Sequence, residues 1–374
     1  MKRLFLFLLC VCFLQAAFGQ ANNIDSIMPV RGLAIAAPSV QGLDLFLKFI
    51  EEELAPAHFN MLVLRVDWKY AYETHPELRD SIPLSKADVK RIVDLCKKHG
   101  ITIAPQINLL GHQGGRRPLN LLRVYPEFEE APHVSDEAPS NTYVDGLYQR
   151  SYCPLHPEVH NVVFALVDEL MDVFDAKWFH AGMDEVFHLG DERCPRCQGK
   201  DKAELFAGEV NKIRDHLAQK GRRLMIWGDR LIDGKMAGVG AWEGSYNNTH
   251  RAIDMINKDV YICDWHYNRS DLTSVMFAMK GFDVATSPWN RPEVAAAQLK
   301  DMIAFRQQSS RAMAPHFQGI ITTVWSGADG FLRSYYDPET YLPIPPDAER
   351  SAQTRGGDAR TVKFFVEEFK KLNN

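Results

Sequence analysis

The sequence predicts an eight-stranded parallel β/α barrel, and three features carry that prediction. Eight short apolar runs of β type alternate with amphipathic helical stretches along residues 32–372, the pattern of a parallel sheet covered by helices. The runs are almost continuously apolar, as expected for strands that are buried on both faces. No Gly-x-Gly-x-x-Gly follows the first run, so the runner-up, an open doubly wound sheet, lacks support in its dinucleotide-binding version.

The predicted elements follow one another in a regular order. The strands are 32–37, 60–67, 101–108, 177–184, 222–229, 259–266, 282–289 and 319–326. The helices, taken from apolar residues three and four apart, are 43–54, 86–99, 159–174, 203–220, 271–279, 294–307 and a last one near 361–372. A Gly-, Pro- and polar-rich insertion at about 109–157 follows the third strand. Long loops at that position lie on the catalytic face of a barrel.

The N-terminus is typical of an exported protein. Lys2 and Arg3 precede a short apolar run, and small residues surround a cleavage position after Gly19, which predicts a signal peptide over 1–19. The remaining 20–374 would form one secreted or periplasmic barrel domain. That apolar run is too short for a comfortable membrane span, and no longer one follows. The net charge of −5 gives no indication of a nucleic-acid partner.

Acids and large aromatic residues occupy the C-terminal ends of the predicted strands, which form the catalytic face of a barrel. The set comprises Asp67, Trp68, Asp184, Glu185, Trp227, Asp229, Asp264, Trp265, His266, Tyr267, Trp289 and Trp325, with His112 just after the third strand. Five of the seven tryptophans belong to it. Aromatic rings stack on pyranose faces and carboxylates bind hydroxyls, so the set predicts a sugar site. The plainer interpretation, aromatic caps and solvated rim acids, suits single residues better than a converging set.

Asp184 and Glu185 are adjacent, and this excludes the usual arrangement of two catalytic carboxylates. Neighbours on a strand point to opposite faces, so both acids reach one site only if the strand ends there and the backbone turns. Adjacent residues are also too close to flank a sugar as acid and nucleophile, which stand about 5 Å apart in retaining enzymes. The pair therefore predicts one general acid and one supporting carboxylate.

The segment His-Ala-Gly-Met-Asp-Glu at 180–185 resembles the His-x-Gly-x-Asp-Glu signature of glycoside hydrolase family 20, the β-N-acetylhexosaminidases. Supporting resemblances, in the family's order, are Arg31-Gly32, Asp67 with its following aromatic and acid, Gly111-His112, and the pocket tryptophans Trp227, Trp265 and Trp325. The resemblance covers roughly residues 30–330. It implies retaining, substrate-assisted removal of terminal β-linked GlcNAc or GalNAc, with no cofactor for catalysis and an oligosaccharide or glycoconjugate as substrate.

The resemblance also implies individual roles. Glu185 would be the general acid and then the base, while Asp184 would orient the acetamido N–H of the substrate. Arg31 would hydrogen-bond ring hydroxyls, and His112 and His180 would support the acids. The further expected substrate-binding residues are Asp67, Trp227, Asp264, Trp265, Tyr267, Trp289 and Trp325.

Three segments depart from the family pattern. The stretch after Arg31-Gly32 lacks the usual Leu-Asp-x-x-Arg-His-Phe, Ser-Pro-Trp-Asn replaces a Tyr-x-Asp, and Trp325-Ser326-Gly327 lacks the acid of a Trp-x-Glu. A different sugar preference and a sugar-binding barrel without catalysis therefore stay open as alternatives, although the intact Asp184–Glu185 pair disfavours the second. A metal-dependent barrel hydrolase is disfavoured because no His-x-His lies near the first strand.

Cys194 and Cys197 form a Cys-Pro-Arg-Cys segment, which is half of a typical zinc site. It predicts a structural zinc ion, completed by Cys153, His156 or His188 if the insertion packs there. A local disulfide and two free thiols are the alternatives.

Overall fold

The computed structural model describes residues 24–115, 117–133, 150–341 and 356–373. Eight parallel strands close into a barrel in sequence order, with the first strand paired to the eighth. They are β1 (Val30–Ala36), β2 (Met61–Arg65), β3 (Thr102–Leu109), β4 (Trp178–Gly182), β5 (Arg223–Trp227), β6 (Tyr261–Asp264), β7 (Val284–Thr286) and β8 (Phe317–Val324). The predicted signal peptide lies outside the described residues, as do positions 116 and 134–149 of the predicted insertion.

Helices cover the outside of the barrel. In the described ranges they are α1 (Ile24–Ile27), α2 (Leu43–Phe49, continued by a π-helical turn over Ile50–Leu54), α3 (Lys86–Lys98), α4 (Asn120–Val124), α5 (Val159–Val173), α6 (Lys202–Ala218), α7 (Gly234–Ala237), α8 (Thr273–Met279), α9 (Pro292–Gln308), α10 (Ala328–Tyr336), α11 (Pro338–Tyr341) and α12 (Gly357–Asn373). The eight predicted strands and seven predicted helices are all present. Across the part of the chain that is described, no helix combines the length and apolarity that a membrane crossing needs.

Local signals explain where several helices begin. A capping box, in which Ser85 and Asp88 each accept a hydrogen bond from the other's backbone N–H, starts α3. The Asp201 carboxylate accepts hydrogen bonds from the Ala203 and Glu204 amides and starts α6. Pro292 occupies the first turn of α9, where its missing N–H costs nothing.

Side chains along each strand alternate between the barrel interior and the helix layer. In β1, Ala34 packs inside the barrel, while Leu33 and Ile35 pack in the outer core. In β6, Tyr261 and Cys263 point inward. The same period of two applies to every strand, so it decides which residues at the strand ends can face the mouth of the barrel.

Candidate active site

The two adjacent acids stand where β4 ends. The strand stops at Gly182, and Gly182, Met183 and Glu185 have φ angles of 69°, 69° and 51°. This left-handed backbone is rare for residues that carry a Cβ, and such strain concentrates at functional sites. The turn that the adjacency of Asp184 and Glu185 required is thus present.

His112 joins the two acids. Its Nε2 lies 3.0 Å from Asp184 Oδ2 and 3.1 Å from Glu185 Oε2. The loop after β3 reaches this position because Gly111 has no side chain, since a Cβ there would lie 2.7 Å from the Asp184 carbonyl oxygen. One imidazole therefore contacts both carboxylates, and it can carry the positive charge that two close acids need.

The environment separates the protonation states of the three groups. Burial raises the pKa of Glu185 above its ordinary value, which His112 opposes and the charges of Asp184 and Asp229 reinforce. Burial would also raise the pKa of Asp184, but the charge and hydrogen bond of His112 bring it below the ordinary value. Burial disfavours the charged imidazole, yet the two carboxylates hold the pKa of His112 well above its usual range. The pKa values of the two adjacent acids are thus shifted in opposite directions. This favours a protonated Glu185 beside an ionised Asp184.

His180 is a neutral support beneath the acids. It points into the barrel from β4, and burial lowers its pKa to about 3. Its Nδ1 accepts a hydrogen bond from the Gly182 amide at 3.0 Å, and its ring lies 4.5 Å from that of Trp227. These contacts fix the end of β4 where the backbone turns.

Asp229 positions Glu185 from the end of β5. Its Oδ2 accepts the Glu185 backbone N–H at 3.0 Å, and its Oδ1 accepts the Trp265 indole N–H at 3.2 Å. The Arg230 Nε lies 2.6 Å from Asp229 Oδ2. Both residues are buried, each with 1% of its surface exposed. A single buried carboxylate thus links the backbone of Glu185 to the indole of Trp265.

Five aromatic residues form a connected group, here called the aromatic wall: Trp227, Trp265, Tyr267, Trp289 and Trp325. Trp265 stacks on Tyr267 at 4.8 Å, Trp289 lies 5.3 Å from Tyr267, and Trp227 lies 5.5 Å from Trp325. The Trp325 indole N–H donates to the Tyr267 hydroxyl at 2.6 Å. Burial raises the pKa of Tyr267, opposed by its hydrogen bond with Trp325 and reinforced by the charges of Asp184 and Glu185. The wall adjoins the acids through the hydrogen bond of Trp265 to Asp229 and the contact of Trp227 with His180.

Asp67 and Arg65 complete the charged part of the mouth. Asp67 Oδ1 accepts the Asn108 backbone N–H at 3.0 Å, and burial raises the pKa of Asp67, opposed by Arg65. The Arg65 Nε lies 3.7 Å from Asp67 Oδ2, and its guanidinium lies 5.0 Å from the centre of the Trp325 ring. Arg65 shares the inward parity of Met61 and Val63, so its side chain enters the mouth.

Comparison with known proteins agrees with this geometry. The model of glycosyl hydrolase family 20, catalytic domain, matches residues 67–328. The chain belongs to glycosyl hydrolase family 20. The match begins at Asp67 and contains all the residues of the mouth described above except Arg65.

Among curated relatives, a β-hexosaminidase of Akkermansia muciniphila is 27% identical over 227 residues, covering 53% of this chain and 44% of that protein. A lacto-N-biosidase of Bifidobacterium bifidum is 25% identical over 209 residues, covering 53% of this chain and 17% of that protein. Hexosaminidase D of Bos taurus is 22% identical over 292 residues, or 73% and 77% of the two chains. The chain therefore spans less than half the length of the first two relatives.

Solved structures show the same fold. A β-N-acetylhexosaminidase from Bacteroides fragilis superimposes with a TM-score of 0.60 at 17% identity, covering 92% of this chain and 72% of that one. A chitobiase from Flavobacterium johnsoniae gives a TM-score of 0.58 at 18% identity, covering 91% and 52%. Both support the closed barrel.

The structure brings most of the predicted family 20 site together and leaves two residues out. Joined by contacts around the mouth are Asp67, His112, His180, Asp184, Glu185, Trp227, Trp265, Tyr267, Trp289 and Trp325. Arg31 and Asp264 do not join them, and strand parity is the reason in both cases. Arg65, which was not predicted, does join them. Asp229 also joins them; it belonged to the predicted strand-end set but not to the residues expected to bind substrate.

The predicted role of Arg31 in sugar binding is corrected. Arg31 is the second residue of β1, so it lies at the end of the barrel opposite to the acids. It has the outward parity of Leu33 and Ile35, and its guanidinium donates to the Met28 and His58 carbonyl oxygens at 2.5 and 2.7 Å. An ion pair with Asp25 at 2.8 Å completes its contacts. Arg31 therefore stabilises the end of the barrel where the strands begin.

The predicted role of Asp264 is corrected as well. Its neighbours Cys263 and Trp265 point into the barrel, so Asp264 points toward the helix layer. There it accepts the Thr273 hydroxyl at 2.8 Å and lies 3.3 Å from His266 Nε2. With 1% of its surface exposed, it is a structural carboxylate.

The cysteine segment lies in a buried cluster with a different composition from the predicted one. Cys153, Cys194, Cys197 and Glu130 offer ligand atoms within 4.8 Å of one another. His156 and His188 are not part of this group; the His156 Nδ1 instead accepts the Glu158 amide at 3.2 Å. Glu130 was missed because it lies in a different part of the chain from the cysteine motif.

Proposed function

We propose that this chain is an enzyme that removes terminal β-linked N-acetylhexosamine, GlcNAc or GalNAc, from oligosaccharides or glycoconjugates with retention of configuration. One observation carries the proposal. Glu185 and Asp184, bridged by His112, have pKa values shifted in opposite directions beside an aromatic wall. Membership of family 20 supports the same reaction.

The first step forms the intermediate. The carbonyl oxygen of the substrate's own acetamido group attacks C1, the C1–O glycosidic bond breaks, and Glu185 gives its proton to the departing oxygen. The acetamido group becomes a positively charged oxazolinium ring. Asp184, which stays ionised because of His112, accepts the N–H of that ring and stabilises its charge.

The second step releases the sugar. Glu185, now a carboxylate, takes a proton from a water molecule whose oxygen attacks C1 from the face that the leaving group occupied. The C1–O bond to the acetamido oxygen breaks and the acetamido group is restored. Two inversions at C1 give overall retention, and Glu185 ends the cycle protonated as it began.

The aromatic wall and Arg65 supply the binding surface. Buried rings around Trp227 and Trp325 suit the acetamido methyl group and the apolar face of a sugar. The Tyr267 hydroxyl, held by the Trp325 indole, is placed to donate to the acetamido carbonyl. Arg65 lies close to Asp67 and takes the role first expected of Arg31. Its guanidinium would hydrogen-bond the outer hydroxyls of the sugar. We also propose export of the chain, which the segment at residues 1–19 supports.

The test is turnover of chromogenic β-N-acetylglucosaminide and its galacto-epimer, beside a β-glucoside that lacks the acetamido group. Wild type should cleave an N-acetyl substrate and leave the β-glucoside intact, because the nucleophile is then missing. Glu185→Gln should lower kcat by roughly 10²–10⁴-fold. The control is Glu192→Gln, which removes an exposed acid from the same loop and should leave the rate unchanged.

Two results would contradict the proposal. Cleavage of the β-glucoside at a similar rate would exclude the substrate-assisted step. Binding of N-acetyl sugars without turnover of either epimer would instead indicate the sugar-binding alternative. Proton NMR of the first-formed anomer separates retention from inversion.

A further inference from the structure

Three buried thiols and one buried carboxylate lie close together in the two loops that follow β3 and β4. None of these four residues takes part in the proposed reaction. The Cys153 sulfur lies 3.3 Å from the Cys197 sulfur and 3.6 Å from the Cys194 sulfur. The five cysteines of the described ranges are free thiols. Cys153, Cys197 and Glu130 have no exposed surface, and Cys194 has 2%.

The carboxylate of the cluster, Glu130, is buried among the thiols, and packing of the cysteines alone does not explain its presence there. Glu130 Oε1 accepts the Asp191 backbone N–H at 3.0 Å. Its Oε2 is buried and meets no well-aligned hydrogen-bond donor among the described residues; its polar neighbours are the weakly donating thiols of Cys194 and Cys197. A buried carboxylate with an unsatisfied oxygen is costly, and a cation between it and the sulfurs would remove that cost.

Backbone amides are directed at two of the sulfur atoms. The Arg196 and Cys197 N–H groups hydrogen-bond to the Cys194 sulfur, and the Leu155 N–H does so to the Cys153 sulfur. Amides directed at the first sulfur of a Cys-x-x-Cys turn orient it toward a ligand on the inner side of the turn.

The spacing fits one tetrahedral ion. With Zn–S bonds of about 2.3 Å, the sulfurs of a tetrahedral site stand about 3.8 Å apart, a few tenths of an ångström more than the distances here. Thiolate ligands favour Zn²⁺ among the common divalent ions, and four protein ligands leave no open position, as in structural sites.

We propose that Cys153, Cys194, Cys197 and Glu130 bind one structural Zn²⁺ ion that fastens the loop after β3 to the loop after β4. Cys153 and Glu130 belong to the first loop, and Cys194 and Cys197 belong to the second. The Asp191 amide on Glu130 links the same two loops around the ion.

The ion lies at a position that stabilises the active site. The Gln113 amide donates to the Arg150 carbonyl at 2.8 Å, and the Arg150 amide donates to the Gly114 carbonyl at 2.6 Å. His112 is therefore anchored to the segment that carries Cys153. The other loop begins with Asp184 and Glu185. Removing the ion frees both loops and loosens the contact between His112 and the two acids.

Metal analysis of the purified full-length chain tests the proposal independently of any glycosidase activity. Wild type should retain about one zinc ion per chain after gel filtration, and Co²⁺ exchanged into the site should give the visible absorption of a tetrahedral thiolate complex. Cys153→Ser and Cys197→Ser should lose the metal. Cys96→Ser, which changes a lone buried cysteine on α3, is the matched control and should keep it.

Glu130→Gln is the most informative variant because it is isosteric and can still accept the Asp191 amide. It should bind zinc more weakly and lose it to a chelator that leaves wild type loaded. Wild type that contains no zinc after incubation with the metal overturns the proposal, whether or not the serine variants fold. A disulfide between two of the three cysteines, detected by mass spectrometry of unreduced wild type, overturns it as well.

Discussion

The side of the barrel mouth formed by β2 to β4 and the side formed by β5 to β8 hold their functional groups by different means. Eight non-glycine residues have positive φ in the described part of the chain, and five of them lie on the first side: Asp67, Leu110, His112, Met183 and Glu185. None of the five residues of the aromatic wall on the second side has positive φ. Positive φ is thus concentrated on the charged side and absent from the aromatic wall.

The difference follows from what each side must do. Proton transfer needs an acid, a carboxylate and an imidazole at hydrogen-bond distance, and only a sharply turned backbone lets Asp184, Glu185 and His112 meet. An apolar wall needs shape and burial, which large rings on regular strands provide through mutual contact. We therefore expect changes on the charged side to alter rate and pH dependence, and changes on the aromatic side to alter rate alone.

Asp184→Asn should give the largest effect among the tests of this comparison. The amide cannot neutralise the charge of the oxazolinium ring, so kcat should fall roughly 10²–10³-fold, as for the loss of another preorganised electrostatic group. Because the charge of Asp184 helps to raise the pKa of Glu185, the alkaline limb of the pH profile should move to lower pH. Steady-state rates across the pH range measure both effects.

The matched control for that variant is Asp94→Asn, which changes an exposed carboxylate on α3. It should leave kcat and the pH profile unchanged. Retention of full activity by Asp184→Asn would show that the carboxylate does not stabilise the intermediate, and the assigned division of labour between the two acids would be wrong.

His112→Gln should have the second largest effect and should move the whole pH profile. The cationic imidazole lowers the pKa of both Asp184 and Glu185, so both pKa values rise when it is removed. The acid limb, set by protonation of Asp184, and the alkaline limb, set by ionisation of Glu185, should therefore both shift to higher pH. Loss of a charge-assisted hydrogen bond costs about 1.5–3 kcal/mol, or roughly ten- to hundredfold in kcat/KM.

A purely structural histidine would give a different result. His112→Gln would then lower the melting temperature and the active fraction, while the active protein kept the wild-type pH profile. His160→Gln is a suitable comparison, because His160 pairs with a buried acid, Glu209, at 2.8 Å but lies on α5, in the helix layer outside the barrel. It should change stability without moving either limb.

Much of this arrangement could be predicted from the sequence. The strands and the adjacent acids follow from apolar runs and from the rule that barrel sites lie at strand ends. The predictions for Arg31 and Asp264 were wrong for the same reason. Each rested on the residue type and its place on a strand, and neither considered whether the side chain faces the barrel interior or the helix layer. In the structure Arg31 shares the outward parity of Leu33 and Ile35, and Arg65 shares the inward parity of Met61 and Val63. Both faces of these strands are apolar, so the residue types alone do not show which parity faces the mouth.

Other parts of the site depend on contacts between distant segments. Asp229 supports Glu185 through a backbone amide, and no residue pattern encodes which amide a buried carboxylate will bind. Glu130 joins the cysteine cluster because the loop after β3 folds back along its own chain, with Glu129 paired to Tyr152. The Cys194–Cys197 motif fixes the spacing of two ligands within the loop after β4. Glu130 belongs to the loop after β3, so no motif within one loop could predict it.

Tyr267→Phe should give the smallest effect and tests the aromatic side. It removes only the hydroxyl that accepts the Trp325 indole N–H, and a neutral hydrogen bond contributes about 0.5–1.5 kcal/mol, or roughly two- to tenfold in kcat/KM. The pH profile should stay as in wild type, because the ring and its burial of the acids are retained. Tyr261→Phe is the control, since its buried hydroxyl has no hydrogen-bond partner among the described residues and its rate should not change. A shifted alkaline limb in Tyr267→Phe would show that the hydroxyl acts on the ionisation of Glu185, and the division between the two sides of the mouth would not hold.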